Sequence, residues 1–134
     1  MAAHGEIEMP DCAIFADTQA EPKSVYRWLD YLEGLLPFPV HRVTKGDLFE
    51  AAIKVNLSKS GKYWKSNNPP MLAERNGRPF PIMRQCTTSF KIRPIQSKIK
   101  KMLAKGETCE QWIGISLDEA HRMKPSRDEL IKNR

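Results

Sequence analysis

A short apolar run that gives way to a helical pattern is the feature that most constrains the fold of this chain. Residues 12–16 are continuously apolar and end at Asp17, which is typical of a strand buried on both faces of a sheet. From Pro22 the apolar residues recur at helical spacing. These positions are Val25, Trp28, Leu29, Leu32 and Leu36. A buried strand followed directly by a helix predicts a crossover to a parallel strand.

The same order of strand and helix recurs further along the chain. Residues 39–43 are predicted as a second strand, and Asp47 has the character of a helix start. A helix is predicted from Pro94 to Gly106, and residues 112–115 are predicted as a third strand. This order predicts an α/β fold with three layers, a parallel sheet flanked by helices. Ligands of such a sheet bind at the carboxyl ends of the strands.

The segment between the second and third predicted helices has a different character. Residues 60–83 hold no sustained period and contain several Pro, Asn and Gly residues. A connection of this length inside a compact domain is usually functional or mobile. We therefore expect a lid or a binding loop here.

Composition and charge limit the class of protein. The 134 residues, 40% apolar and 28% charged, are expected to form one domain spanning residues 1–134. Residues 1–10 have no apolar leader character and no apolar run is long enough to cross a membrane, so we expect a cytoplasmic protein without membrane association. Cys12, Cys86 and Cys109 are too irregularly spaced for a disulfide framework or a CxxC metal site. The net charge of +6 favours a polyanionic partner, such as a nucleotide or a nucleic acid.

The segment QWIGISLDEAHRMKPSR, residues 111–127, places several charges directly after the third predicted strand. One interpretation is structural, because Ser116 and Glu119 have the spacing of a capping box and Arg122 can pair with Asp118 one turn earlier. The other is functional, because residues at the carboxyl end of a parallel strand line the ligand cleft. Residue types alone leave both interpretations open.

Two further segments carry the same choice. FADTQAEP, residues 15–22, contains Asp17 and Thr18, which are either turn residues or groups that contact a ribose or a base. Both residues are expected on the same sheet edge as the charged segment at residues 111–127. RQCTTSFKIRP, residues 84–94, places the Cys86 thiol among cations, which favours the reactive thiolate. The alternative is a small buried residue beneath a solvated basic helix.

Four motifs, in this order, resemble a known family: FADTQAEP, LPFPVHRV, RQCTTSFKIRPI and EQWIGISLDEAHRMKPSR. They are similar to the phosphoadenosine phosphosulfate (PAPS) reductase family of the adenine nucleotide alpha-hydrolase-like superfamily, in the versions often encoded by bacteriophages. The resemblance covers nearly the whole chain from Asp11 onward, and the last two motifs are fairly specific. It implies a nucleotide-binding parallel sheet flanked by helices, and an activity on adenylyl nucleotides or in sulfur transfer.

The resemblance also implies roles for individual residues. Asp17 and Thr18 match an Asp-Thr pair near the adenine nucleotide. Lys91 and Arg122 would neutralise anionic oxygens, and the acidic pair at residues 118–119 would orient the ligand or a metal. The candidate catalytic residues are Cys86, Asp118 and Glu119, and the candidate nucleotide-binding residues are Asp17, Thr18, Lys91, Gly114 and Arg122.

Parts of the family's pattern are missing from this sequence. The family begins with a strand and a glycine- and serine-rich phosphate loop, whereas the 7 glycines here are scattered singly. We therefore expect an incomplete domain, which is either part of a longer chain or completed by another copy or a partner. Gln85 precedes Cys86 and the sequence contains no CxxC, so no iron–sulfur cluster is expected. A cysteine-bearing C-terminal tail is also missing, and Ser116 stands where many members have an arginine.

The leading hypothesis is a PAPS reductase-like domain that binds an adenine nucleotide, ATP or PAPS, for sulfur transfer or nucleotide activation. Mg²⁺ commonly accompanies such phosphates. Whether the chain is itself an enzyme is left open. The alternative is a non-catalytic or nucleic-acid-binding module completed by a partner subunit. Residues 62–65 (KYWK) and the lysine-rich residues 98–105 motivate the nucleic-acid alternative, although a loop anchor and a solvated helix face would explain them equally.

Overall fold

The computed structural model of this chain describes residues 4–64, 72–81, 85–114, 118, 121 and 124–134. These residues form a mixed α/β protein with helices and small parallel and antiparallel sheets. The chain divides into two compact units, Met1–Ile95 and Gln96–Arg134, and the described residues of each form one parallel strand pair. No helix formed by the described residues is long and apolar enough to cross a membrane.

The first elements of the first unit are two parallel strands and the crossover helix that connects them. These elements are β1 (Ala13–Asp17), α1 (Lys23–Leu35) and β2 (Val40–Thr44). The parallel register places Ala13 beside Val40 and Asp17 beside Thr44. The prediction of strand, helix and parallel strand is confirmed here, and the carboxyl ends of β1 and β2 meet at one edge.

An ion-pair network connects α1 to β2. The Arg42 guanidinium donates from Nε to Glu33 Oε1 at 2.6 Å and from Nη2 to Glu33 Oε2 at 2.8 Å, and it also bonds to Asp30. The hydrogen bonds to Glu33 and then Asp30 raise the pKa of Arg42. Such a two-pronged contact fixes geometry as well as charge. It holds the helix in register on the strand.

The apolar face of α1 is only partly covered. Leu29 is buried, as its spacing predicts, but Trp28 is 60% exposed. Its ring stacks on Tyr31, with 5.2 Å between the ring centroids. The apolar arc of the helix is wider than the surface that the described two-stranded sheet offers, so its outer part remains in solvent.

The second helix, α2 (Leu48–Ile53), starts at the predicted cap. Asp47 Oδ1 accepts hydrogen bonds from the backbone N–H groups of Phe49 at 2.6 Å and Glu50 at 3.0 Å. The Leu48 N–H donates to the Thr18 carbonyl at 3.0 Å. The start of α2 is thereby attached to the residue that follows β1.

The segment expected to be a lid or a binding loop forms strands in its described part, so it is not an irregular loop there. Its role as a lid or a binding segment stays a prediction. Two antiparallel pairs are formed by β3 (Asn56–Leu57) with β4 (Tyr63–Trp64) and by β5 (Leu72–Arg75) with β6 (Arg78–Pro81). The turn between β5 and β6 is Asn76-Gly77, with φ of 53° and 72°. Two consecutive positive φ angles define a type I′ turn, for which Asn-Gly is the strongest sequence signal.

A π-helix, Thr87–Ile92, runs directly into α3 (Arg93–Met102), so the helical segment begins before the predicted start at Pro94. The Arg93 N–H donates to the Thr88 carbonyl, five residues earlier rather than four. Proline has no N–H and its ring clashes with the carbonyl four residues before it. The wider π turn lets the segment continue through Pro94. Phe90 is 2% exposed, and the π-helix contacts β1.

The second unit is built around a short parallel pair, β7 (Cys109–Gln111) and β8 (Ile131–Asn133). Ile131 is fully buried. The third strand was expected at residues 112–115. It lies earlier, at Cys109–Gln111, and residues 112–114 are outside any strand, although the Ile113 N–H still donates to the Arg134 carbonyl at 3.2 Å. Residue 115 lies outside the described residues.

Candidate functional site

The carboxylate of Asp17 is held at the carboxyl end of β1. Its Oδ1 accepts hydrogen bonds from the Gln19 N–H and from the Tyr26 hydroxyl, both at 2.8 Å. Gln19 adopts a φ of 57°, which turns the chain back over the carboxylate. The bond to Asp17, followed by desolvation, raises the pKa of the Tyr26 phenol, so the phenol remains the donor. Within the described part of the chain both bonds use Oδ1, which leaves Oδ2 able to accept from a ligand hydroxyl.

Thr18, Glu21 and Lys91 form a chain of hydrogen bonds beside Asp17. The Thr18 hydroxyl donates to Glu21 Oε1 at 3.2 Å, and the Lys91 ammonium donates to the same oxygen at 3.1 Å. Thr18 is only 2% exposed, and its hydroxyl also accepts from the Ala20 N–H at 3.4 Å. The Thr18 hydroxyl therefore orients Glu21, while Glu21 holds the ammonium of Lys91.

Sequence reasoning did not single out Glu21 or Tyr26. Both lie within or just after the FADTQAEP motif, so their position along the chain was the available signal. We call the five residues Asp17, Thr18, Glu21, Tyr26 and Lys91 the carboxyl-edge cluster. Three of its members were sequence candidates, and the structure brings these three together.

The π-helix positions Lys91. Ser89 and Phe90 are buried, whereas the Lys91 side chain is 50% exposed. A second cation, Lys45, lies 5.5 Å from the centroid of the Phe90 ring. Lys45 directly follows β2, so both parallel strands and the π-helix supply polar or charged groups to one region.

Cys86 stands immediately before the π-helix with a helical backbone conformation. Its side chain is half-buried and its thiol is not in a disulfide. Intermediate burial is compatible with a reactive thiol and with a small packing residue, so both interpretations of Cys86 stay open. Its catalytic role remains a prediction.

The remaining sequence candidates belong to the second unit. Gly114 is exposed, and a side chain there would meet no atom within 4 Å, so local packing does not require glycine. Asp118 is exposed, and its backbone carbonyl lies 3.0 Å from His121 Nδ1. Glu119 and Arg122 lie outside the described residues. The capping box and the pairing of Asp118 with Arg122 therefore stay predictions.

The two segments proposed for nucleic acid are described in part. In the first, Lys62 is exposed beside β4, and Lys65 lies outside the described residues. In the second, Lys100 Nζ lies 2.6 Å from Asp128 Oδ2, and this contact lowers the pKa of Asp128. The other lysines of that segment are Lys98, Lys101 and Lys105. Part of this basic face is thus neutralised within the second unit.

The described residues also bear on metal binding. These residues contain no group of three or more His, Cys, Asp or Glu side chains that could hold a metal ion. Mg²⁺ in nucleotide sites generally takes one or two protein carboxylates and completes its shell with phosphates and water. Asp17 and Glu21 are the carboxylates of the carboxyl-edge cluster, and among the described residues the side-chain contacts of each use one oxygen, which leaves the other available for such a contact.

Comparison with known proteins adds no relative. No family model, no curated protein and no solved structure matches the chain.

Proposed function

We propose that this chain carries a PAPS reductase-like domain that binds an adenine nucleotide, ATP or PAPS, at the carboxyl ends of β1 and β2, for sulfur transfer or nucleotide activation. The observation that best supports this proposal is the 3.1 Å contact between Lys91 and Glu21, which are 70 residues apart. It brings a cation to the end of a parallel strand, where open α/β sheets bind their ligands.

Four members of the carboxyl-edge cluster, Asp17, Glu21, Tyr26 and Lys91, have a place in this proposal. Asp17 accepts a hydrogen bond from a ribose hydroxyl through its second oxygen, while Tyr26 and Gln19 hold the first. Lys91 has three donor hydrogens and uses one for Glu21, so the others can reach phosphate or sulfonate oxygens. Lys45 adds positive charge nearby.

The finer fold belongs to the same proposal. A strand, a crossover helix and a parallel strand follow one another as β1, α1 and β2. A three-layer nucleotide-binding sheet is built from units of this kind. The printed sequence has no glycine-rich phosphate loop, so lysine and arginine side chains would supply the charge that such a loop otherwise provides. Cys86 directly precedes the π-helix that carries Lys91, and it would be the thiol that handles sulfur.

Thermal unfolding of the full chain with and without millimolar ATP or PAPS tests the proposal. A ligand at about 100 times its Kd adds roughly 2.7 kcal/mol to the free energy of unfolding, which raises the midpoint visibly. Lys91→Ala should weaken nucleotide binding by about tenfold or more, because hydrogen bonds between charged groups are the strong ones. Lys101→Ala removes the same charge from an exposed position of α3 and should leave the affinity unchanged.

Two results would contradict the proposal. One is a midpoint that neither nucleotide changes, although the protein unfolds cooperatively. The other is equal affinity for the wild type and Lys91→Ala, measured by titration calorimetry, which would remove the carboxyl-edge cluster from the binding site.

A further inference from the structure

The β5–β6 hairpin carries two opposed cations that the proposed nucleotide site does not use. Arg75 and Arg78 are direct cross-strand partners on either side of the Asn76-Gly77 turn. Opposed residues of an antiparallel pair project on the same face, with Cβ atoms about 4.5–5.5 Å apart, and like charges there repel. Among the described residues, neither guanidinium takes part in an ion pair. An anion placed between them would relieve the repulsion.

An aromatic ring lies on the same face as these arginines. Phe80 is two residues beyond Arg78 along β6, so both side chains point to one side of the ribbon. Phe80 is 42% exposed, and all four residues of β6 are exposed. We call Arg75, Arg78 and Phe80 the hairpin face. It combines two planar cations with an accessible ring.

The outer edge of β6 is closed to another strand. Arg75 and Arg78 flank a two-residue turn, so their backbone groups hydrogen-bond to each other. Hydrogen-bonded and non-hydrogen-bonded pairs alternate along an antiparallel ladder, so the next pair, Glu74 with Pro79, is not hydrogen-bonded. The same holds for Leu72 with Pro81. At these two positions the backbone nitrogen points to the outer edge, and proline has no hydrogen to donate there. A partner must therefore contact the side chains of the hairpin and cannot extend β6 by strand addition.

We propose that the hairpin face binds single-stranded nucleic acid. The two guanidinium groups match phosphate oxygens in charge and in planar geometry. The Phe80 ring offers a surface on which an unpaired base can stack. Bases inside a duplex are already covered on both faces by their neighbours, so the accessible ring favours a single strand. This inference concerns different residues from the nucleotide site and does not depend on it.

Fluorescence anisotropy on the full chain tests this inference, with a labelled single strand of about 16 nucleotides as the probe. The double variant R75Q/R78Q should make the slope of log K against log salt shallower by about 1.4, since each phosphate contact contributes about 0.7 for single strands. Phe80→Ala should lower the affinity about fivefold or more with the slope unchanged, because it removes stacking and no charge.

Two matched variants separate position from charge. R75K/R78K keeps both charges and should keep the salt slope. K101Q/K105Q removes two exposed charges from the other basic segment, and should keep both affinity and slope. R75Q/R78Q removes opposed like charges, so its unfolding midpoint should not fall, and lost binding then cannot be explained by unfolding.

Four results would overturn the inference. The first is no binding of the single strand at about 50 mM salt, where phosphate contacts are strong. The second is tighter binding of the matching duplex, and the third is an equal loss of affinity in K101Q/K105Q. The fourth is equal affinity for polyglutamate of the same length, which would make the hairpin face a site for acidic proteins.

Discussion

The buried ring of Phe90 gives the strongest test of how the π-helix is held on β1. Phe90 is 2% exposed and lies beside buried Ser89, and Ala16 is the buried residue of β1. Truncating a buried phenylalanine to alanine costs about 3–5 kcal/mol, because apolar burial is lost and a cavity remains. The whole free energy of unfolding of a domain is about 5–15 kcal/mol. Phe90→Ala should therefore remove a large share of the stability of the first unit.

The expected loss is large enough for a simple assay. In a domain of about 60–100 residues, each kcal/mol lowers the midpoint by about 4–8 °C, so Phe90→Ala should lower it by at least about 12 °C. Far-UV circular dichroism during thermal and urea unfolding measures this change. Phe90→Leu, which keeps an apolar side chain but loses the ring beneath Lys45, should cost markedly less.

Phe80→Ala is the matched control, because it removes the same ring from a position that is 42% exposed. It should change the free energy of unfolding by no more than about 0.5 kcal/mol. Equal losses in Phe80→Ala and Phe90→Ala would refute the reasoning. Phe90 would then not be the contact that holds the π-helix, and with it Lys91, at the end of β1.

Three further predictions follow from the described contacts. Asp17→Asn should lower the pKa of the Tyr26 phenol towards its ordinary value of 10.0, because the hydrogen bond to the carboxylate is the first cause of the raised pKa. Tyrosinate absorbance during a pH titration, with Tyr26→Phe as the reference, measures this change. An unchanged titration would contradict the prediction. Lys100 lowers the pKa of Asp128 below the ordinary 3.8, so the stability from this pair is present above pH 3.8 and is lost as the pH falls through the lowered value. Lys100→Ala should reduce that acid sensitivity in unfolding experiments, and an identical pH profile would exclude the pair as its source. Gly77→Ala places a side chain at a φ of 72°, which costs about 1 kcal/mol, and should reduce amide protection in the hairpin. Unchanged hydrogen exchange there would argue against the type I′ turn.

The helix starts of the first unit were predictable because a helix start depends on neighbouring residues. Pro22 precedes α1, and Asp47 caps α2 through its own side chain. The third strand was harder, because an apolar run alone does not fix the extent of a strand. Pairing with Ile131–Asn133, remote in sequence, places it at Cys109–Gln111.

The β5–β6 hairpin shows how two local signals can compete. Asn76-Gly77 favours a hairpin, whereas Pro79 and Pro81 argue against a strand. The register of β5 with β6 allows the hairpin despite the prolines, because Pro79 and Pro81 stand at positions where the backbone nitrogen makes no hydrogen bond to the partner strand. The sequence alone does not give this register.

Local sequence patterns were sufficient to predict that a strand ends near Asp17 and that a crossover helix comes next. These features depend on patterns within a few residues. The predicted burial of that strand on both faces is wrong, because Ala16 is its buried residue and the others are half-buried. The contact of Lys91 with Glu21 was decided by tertiary structure, because it joins residues 70 positions apart. The packing of the π-helix against β1, with Phe90 buried in it, closes that distance, and burial of an apolar ring is a property of the whole folded unit rather than of any short segment.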